Sequence, residues 1–228
     1  MQICPSYLDV KDKDIRKFMF MLEAYNKNAE NIKISHVHVD IMDGEFVPNV
    51  GVDIDDVRLI RNKGYMPDVH LMVAYPESYI DKAIENGANI VCIHVELPNV
   101  FELISFMQDK CFEHRNKVKI GLAINPSTSY LELEKYLPYI DHILVMSVEP
   151  GKGGQSFIDL IADKIENIKN MIINAAIFDK ISIAVDGGIN DSNIALVKKK
   201  GADLAVVGSY VARSQNLKEF EDKMRTLS

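Results

Sequence analysis

The chain has 228 residues, 47% of them hydrophobic, enough to bury a large core within one domain. Its 26 Lys and Arg against 33 Asp and Glu give a formal charge of −7, which argues against a broad nucleic-acid or anionic-membrane surface but is compatible with a local pocket for one phosphate. Cys4, Cys92 and Cys111 are scattered, so they form neither a disulfide framework nor a zinc-thiolate spacing, and a reducing compartment is expected. The opening MQICPSYLDVKDKDIRKFMF carries charges where a signal peptide needs an apolar stretch. No uncharged apolar run approaches the roughly 18 residues of a membrane span, so the reading is a soluble, cytoplasmic protein.

In chain order, strand candidates fall at 2–5, 35–40, 68–73, 89–96, 118–124, 142–147, 180–186 and 203–209. Between them lie stretches of helical period, such as 13–27 with Ile15, Phe18, Met19 and Leu22 on one stripe, and 216–227 with Leu217, Phe220, Met224 and Leu227 on another. Eight strands alternating with helices predict an α/β fold, a (β/α)8 TIM barrel forming a single domain over 1–228. Periodicity alone does not separate this from an open doubly wound sheet.

Within HVHVDIMDG (36–44), alternation sends Val37, Val39 and Ile41 toward the helices and His36, His38 and Asp40 into the barrel. His36 reads as a hydrogen-bonded core histidine, whereas His38 and Asp40 lie nearer the end of the strand where such barrels place their chemistry. The same parity turns His70 and Met72 inward in DVHLMV, and Ser182, Ala184 and Asp186 inward in ISIAVDGG. Three strand ends thus deliver two imidazoles and two carboxylates to one mouth. That donor set suits one divalent transition metal, Zn²⁺, Fe²⁺, Mn²⁺ or Co²⁺, better than Ca²⁺ or Mg²⁺.

HVDIMDGEFVPN (38–49), DVHLMV (68–73), INPST (124–128), VMSVEPGKGGQSF (145–157), VDGGI (185–189) and VGS (207–209), with Pro5-Ser6 near the start, together resemble the ribulose-phosphate 3-epimerase family. The resemblance runs from Pro5 to Ser209 and implies a barrel that interconverts two ketose phosphates differing at C3, with the metal on His38, Asp40, His70 and Asp186. Inversion beside a carbonyl needs two acid/base groups flanking one carbon, and by the resemblance Asp40 and Asp186 exchange those roles with the direction of reaction. A metal would stabilise the enediolate between them.

The resemblance also places Met42, Met72 and Met146 as an apolar lid around that intermediate, against their ordinary role as gap fillers. Gly151, Lys152, Gly153 and Gly154, then Gly187 and Gly188, then Gly208 and Ser209, follow consecutive strands and read as a backbone cradle for phosphate. Ser6 matches a substrate-contacting position. His94 and Glu96 read as inward groups of the fourth strand that satisfy each other, and His114 and His142 as ordinary.

Lys152 stands where an aromatic is common, Glu45 where His is common, and CPSYLDVKDKD lacks the usual continuation. These departures bear on the sugar. Ribulose 5-phosphate is the first expectation and allulose 6-phosphate the alternative. A non-catalytic sugar-phosphate sensor would tolerate loss of one of the four metal positions, yet all four are present. Decarboxylases of related barrels use an Asp-x-Lys-x-x-Asp pattern, and Met42 occupies the lysine position. The expected partners are a phosphorylated ketose and further copies of the chain as a homo-oligomer, with no nucleic acid and no membrane.

Overall fold

In the computed structural model, which describes residues 1–10, 14–29, 33–177 and 180–227, eight parallel strands form one sheet. They are β1 (Gln2–Pro5), β2 (His36–Met42), β3 (Met66–Met72), β4 (Ile90–His94), β5 (Lys119–Ile124), β6 (His142–Met146), β7 (Ser182–Asp186) and β8 (Leu204–Val207). Each strand pairs with its sequence neighbour from β2 through β8, and β1 pairs with β8. A parallel bridge between Ser6 and His38 brings β1 against β2 and nearly closes the barrel.

The helices are α1 (Ile15–Asn28), α2 (Asp56–Asn62), α3 (Glu77–Glu85), α4 (Val100–Glu113), α5 (Ile161–Asn174), α6 (Ile194–Lys199), α7 (Ser209–Ala212) and α8 (Leu217–Thr226). Asp14 caps α1 by accepting hydrogen bonds from Arg16 N at 3.0 Å and Lys17 N at 3.3 Å. Lys13, where the sequence reading began this helix, lies outside the described residues. The buried stripe Ile15, Phe18, Met19 and Leu22 then faces the sheet. Asn216 caps α8 through Glu219 N at 3.0 Å, and Phe220 and Met224 are its buried residues. Such caps contribute about 1 kcal/mol each.

Alternation holds along the strands. Val37, Val39, Ile41, Val69, Leu71, Ile183 and Val185 belong to the apolar shell between sheet and helices. Smaller side chains, among them Cys4, Cys92, Ala123, Leu144, Ala184 and Val206, fill the interior.

Several details correct the sequence reading. The connection after β5 is a 3-10 helix (Tyr130–Tyr139) with Pro138 near its end. Two helices rather than one follow β8. β4 ends at His94, so Glu96 lies in a turn closed by Leu97 N donating to the His94 carbonyl at 3.2 Å. β8 ends at Val207, and Ser209 opens α7. Among the described residues no helix is long and apolar enough to cross a membrane.

Candidate active site

The four residues singled out on β2, β3 and β7 converge at the C-terminal mouth. His38, Asp40 and His70 are buried and Asp186 is partly exposed, and one donor atom from each lies within 4.8 Å of the others. His38 Nε2 is 3.2 Å from Asp40 Oδ1 and 3.9 Å from Asp186 Oδ2. His70 Nδ1 is 3.4 Å and 3.9 Å from the same two oxygens. Register accounts for part of this, because Asp40 sits directly opposite His70 on the neighbouring strand.

Each imidazole is oriented by its other nitrogen. Asp68 Oδ2 accepts from His38 Nδ1 at 3.0 Å, which turns Nε2 toward the mouth. His70 Nε2 is 2.8 Å from His94 Nε2, and His94 Nδ1 is 3.0 Å from Glu96 Oε2. Glu96 Oε1 in turn accepts from Asn125 N at 2.9 Å. The two nitrogens facing the mouth, His38 Nε2 and His70 Nδ1, are buried and have no hydrogen-bond partner of good geometry among the described residues. Two orphaned imidazole nitrogens beside two carboxylates fit a divalent transition metal.

The electrostatics separate the two aspartates. Burial raises Asp186, and the negative charge of Asp40 beside it adds to the effect, so its carboxyl is pushed up to about 7. Burial acts on Asp40 in the same sense, but the close approach of His38 and His70 overcomes it and holds Asp40 well below the usual carboxylate range. His38 is raised well above the ordinary imidazole value because Asp40 and Asp68 outweigh the effect of burial. His70 is lowered, chiefly by burial.

The remaining predicted residues surround this cluster. Ser6, Met42, Met72, Met146, Gly151, Lys152, Gly153, Gly154, Gly187, Gly188, Gly208 and Ser209 all line one mouth cavity together with Asp40 and Asp186. The Ser6 hydroxyl donates to Asp40 Oδ2 at 2.9 Å, so it fixes the carboxylate as well as facing the cavity. Met42 and Met72 pack with Val47, while Met146 belongs to the interior cluster beneath them. Gly188 has φ +64°, and a side chain there would collide with the Phe157 amide. Its loop packs against the segment after β6 in a way only glycine permits.

Four contributors were not singled out as such from the sequence. Asp68 shares the inward parity of His70 and was the one most open to detection. Asp43 organises the loop after β2, accepting from Glu45 N at 2.8 Å, Phe46 N at 2.9 Å and Ala74 N at 2.7 Å. Asp9 lines the cavity and pairs at 3.0 Å with Arg213, whose guanidinium lies against Gly154. No local motif marks that pair, since 204 residues separate its members.

Comparison with known proteins gives the family. Residues 16–212 match the model of the ribulose-phosphate 3 epimerase family. The chain is 36% identical over 192 residues to the ribulose-phosphate 3-epimerase of Aquifex aeolicus, covering 84% of this chain and 83% of that protein. It is 34% identical over 201 residues to the enzyme of the same name from Bacillus subtilis, covering 87% and 89%. Among solved structures, a 3-hexulose-6-phosphate synthase superposes with TM-score 0.67 over 98% of this chain and 99% of that one. At 12% identity that likeness speaks for the barrel fold alone. The chain therefore belongs to the ribulose-phosphate 3-epimerase family of enzymes.

Proposed function

We propose that this protein interconverts D-ribulose 5-phosphate and D-xylulose 5-phosphate, one of Asp40 and Asp186 removing the C3 proton and the other delivering a proton to the opposite face. The observation that carries the reading is geometric: Asp40 from β2 and Asp186 from β7 line one mouth cavity, with the imidazoles of His38 and His70 within reach of both. An inversion requires two acid/base groups beside one carbon, one to accept a proton and the other to deliver one, and the two strands supply them. In the reverse direction the roles exchange. Because each charge acts on the other, the pair titrates as a unit.

His38, Asp40, His70 and Asp186 would hold one divalent transition metal, which when bound supplies Lewis acidity toward the substrate oxygens on which negative charge develops. The protein's own groups do the rest. Ser6 keeps Asp40 oriented. Met42, Met72 and Met146 line the reacting carbon's side of the cavity with apolar, polarizable groups that limit access of water to an enediolate. The glycine-rich loops after β6, β7 and β8 present backbone N–H groups to the phosphate, and Lys152 adds a positive charge on the same rim.

The test is an NMR assay of metal-loaded protein with D-ribulose 5-phosphate in D2O. Xylulose 5-phosphate carrying deuterium at C3 is the expected product. Turnover of allulose 6-phosphate but not of the pentose would move the assignment to the six-carbon sugar. Absence of product and exchange with both would overturn the enzymatic reading in favour of a sensor.

A further inference from the structure

Deeper in the barrel, away from the mouth, a second group of donors faces inward. Asp68 on β3, Cys92 on β4 and His142 at the start of β6 are fully buried, and one donor atom from each lies within 4.8 Å of the others. None of them belongs to the mouth set. Register brings two of them together across β5, since Cys92 pairs with Gly121 and Gly121 with His142. A side chain at position 121 would collide with Cys92 Sγ and come within 3.4 Å of the His142 ring. Glycine there leaves the thiol and the imidazole the space they share.

The hydrogen bonding leaves this group incomplete. Asp68 Oδ2 is used, accepting from His38 Nδ1 at 3.0 Å with Cys4 Sγ at 4.0 Å. Asp68 Oδ1 has no partner among the described residues. His142 Nδ1 is 2.8 Å from Ser182 Oγ, and the serine hydroxyl is directed to the Asp141 carbonyl at 3.4 Å. That arrangement makes Nδ1 the donor and leaves Nε2 as a bare lone pair, again without a partner. A carboxylate oxygen and an imidazole nitrogen, both acceptors, cannot satisfy each other, whereas a cation between them satisfies both.

We propose that Asp68, Cys92 and His142 bind a second divalent transition-metal ion, separate from the one at the mouth. The mixed sulfur, nitrogen and oxygen set suits zinc and its neighbours and is poor for magnesium or calcium. Binding exchanges the Cys92 thiol proton for the metal and releases that proton to solvent, with no change of oxidation state. Asp68 then joins the two sites, one oxygen on the inner ion and the other holding His38, so the inner ion positions a mouth ligand. The wide spacing of Asp68, Cys92 and His142 along the chain conceals the group from any reading of cysteine motifs.

The four mouth donors are nitrogen and oxygen only, so a thiolate band marks a cysteine site, and its loss in Cys92→Ser assigns it to Cys92 rather than to Cys4 or Cys111. Apoprotein is titrated with Co²⁺ without oxygen, following bound metal by elemental analysis and the sulfur-to-cobalt charge-transfer absorption. Two equivalents per chain are expected, with the thiolate band present in wild type and in Asp186→Asn. Cys92→Ser should lose the band and one equivalent. If that variant does not fold, His142→Leu should lose one equivalent as well. Saturation without a thiolate band, or a band that survives Cys92→Ser, overturns the proposal. One equivalent carrying a band that Cys92→Ser removes supports the inner site and counts against the mouth metal instead.

Discussion

His94 Nε2 stands 2.8 Å from His70 Nε2, and Glu96 holds the far nitrogen of His94 at 3.0 Å, so an imidazole at the mouth is steered by a carboxylate on another strand's loop. With Glu96 accepting from His94 Nδ1, His94 Nε2 is an acceptor for His70 Nε2–H. This leaves His70 Nδ1 free of its proton and facing the mouth.

Replacing His94 with Phe, or Glu96 with Gln, should therefore weaken metal binding by about 10–100-fold while the barrel stays folded. Chelator competition against a calibrated indicator reads the affinity, and circular dichroism reads the fold. Wild-type affinity in both variants would mean the relay does not position His70.

Asp40→Asn and Asp186→Asn should each lower turnover by at least about 10²-fold, the range of a lost acid/base group. Their effects on stability should differ. Asp40→Asn removes a partner of the charged His38 and should cost about 1–3 kcal/mol in the metal-free protein. Asp186→Asn removes a carboxyl that its neighbours push up to about 7 and should leave stability unchanged or slightly higher. Urea unfolding midpoints of the two apoproteins provide the comparison, and the reverse order would contradict the electrostatic assignment.

Stability of the metal-free protein should fall on acidification between roughly pH 6.5 and 4. Burial lowers His94 and His142 to about 4 each, while an unfolded imidazole titrates near ~6.5, so in this window the unfolded chain binds two protons that the folded one refuses. Asp186 acts oppositely, because its folded carboxyl, raised to about 7, is protonated where the unfolded one near ~3.9 is not. The balance is one extra proton on the unfolded side, on the order of 1 kcal/mol per pH unit. His70 and His36, both lowered first by burial, add in the same sense. Urea midpoints at about pH 6 and pH 4.5 measure it, and an equal or higher midpoint at the lower pH would be inconsistent with neutral buried imidazoles.

Gly188→Ala should cost about 1–3 kcal/mol, because φ +64° disfavours a side chain and the added carbon meets the Phe157 amide. The displaced loop lines the mouth, so KM for the sugar phosphate should rise more than kcat falls. An unchanged KM in a correctly folded variant would remove this loop from phosphate binding.

What could be read from sequence were those features set by local periodicity. Alternation in HVHVDIM and SIAVD separates the helix-facing valines and isoleucines from His38, Asp40 and Asp186, because successive side chains on a strand must point to opposite faces. Eight such strands alternating with helical stretches lead to the expectation of a barrel with its mouth at their C-terminal ends, although periodicity alone does not separate it from an open doubly wound sheet. Tertiary structure decided whatever depends on which strands pair and in what register. It put Asp68 beneath His38 and placed Glu96 in a turn where it reaches both His94 and Asn125. It also paired Asp9 with Arg213 from opposite ends of the chain. These contacts arise from the pairing of neighbouring strands, β2 with β3, β4 with β5 and β1 with β8, which brings together residues whose separation along the chain carries no periodic signal. The difference in proton affinity between Asp40 and Asp186 belongs to the same class, since it comes from burial and from neighbours on other strands.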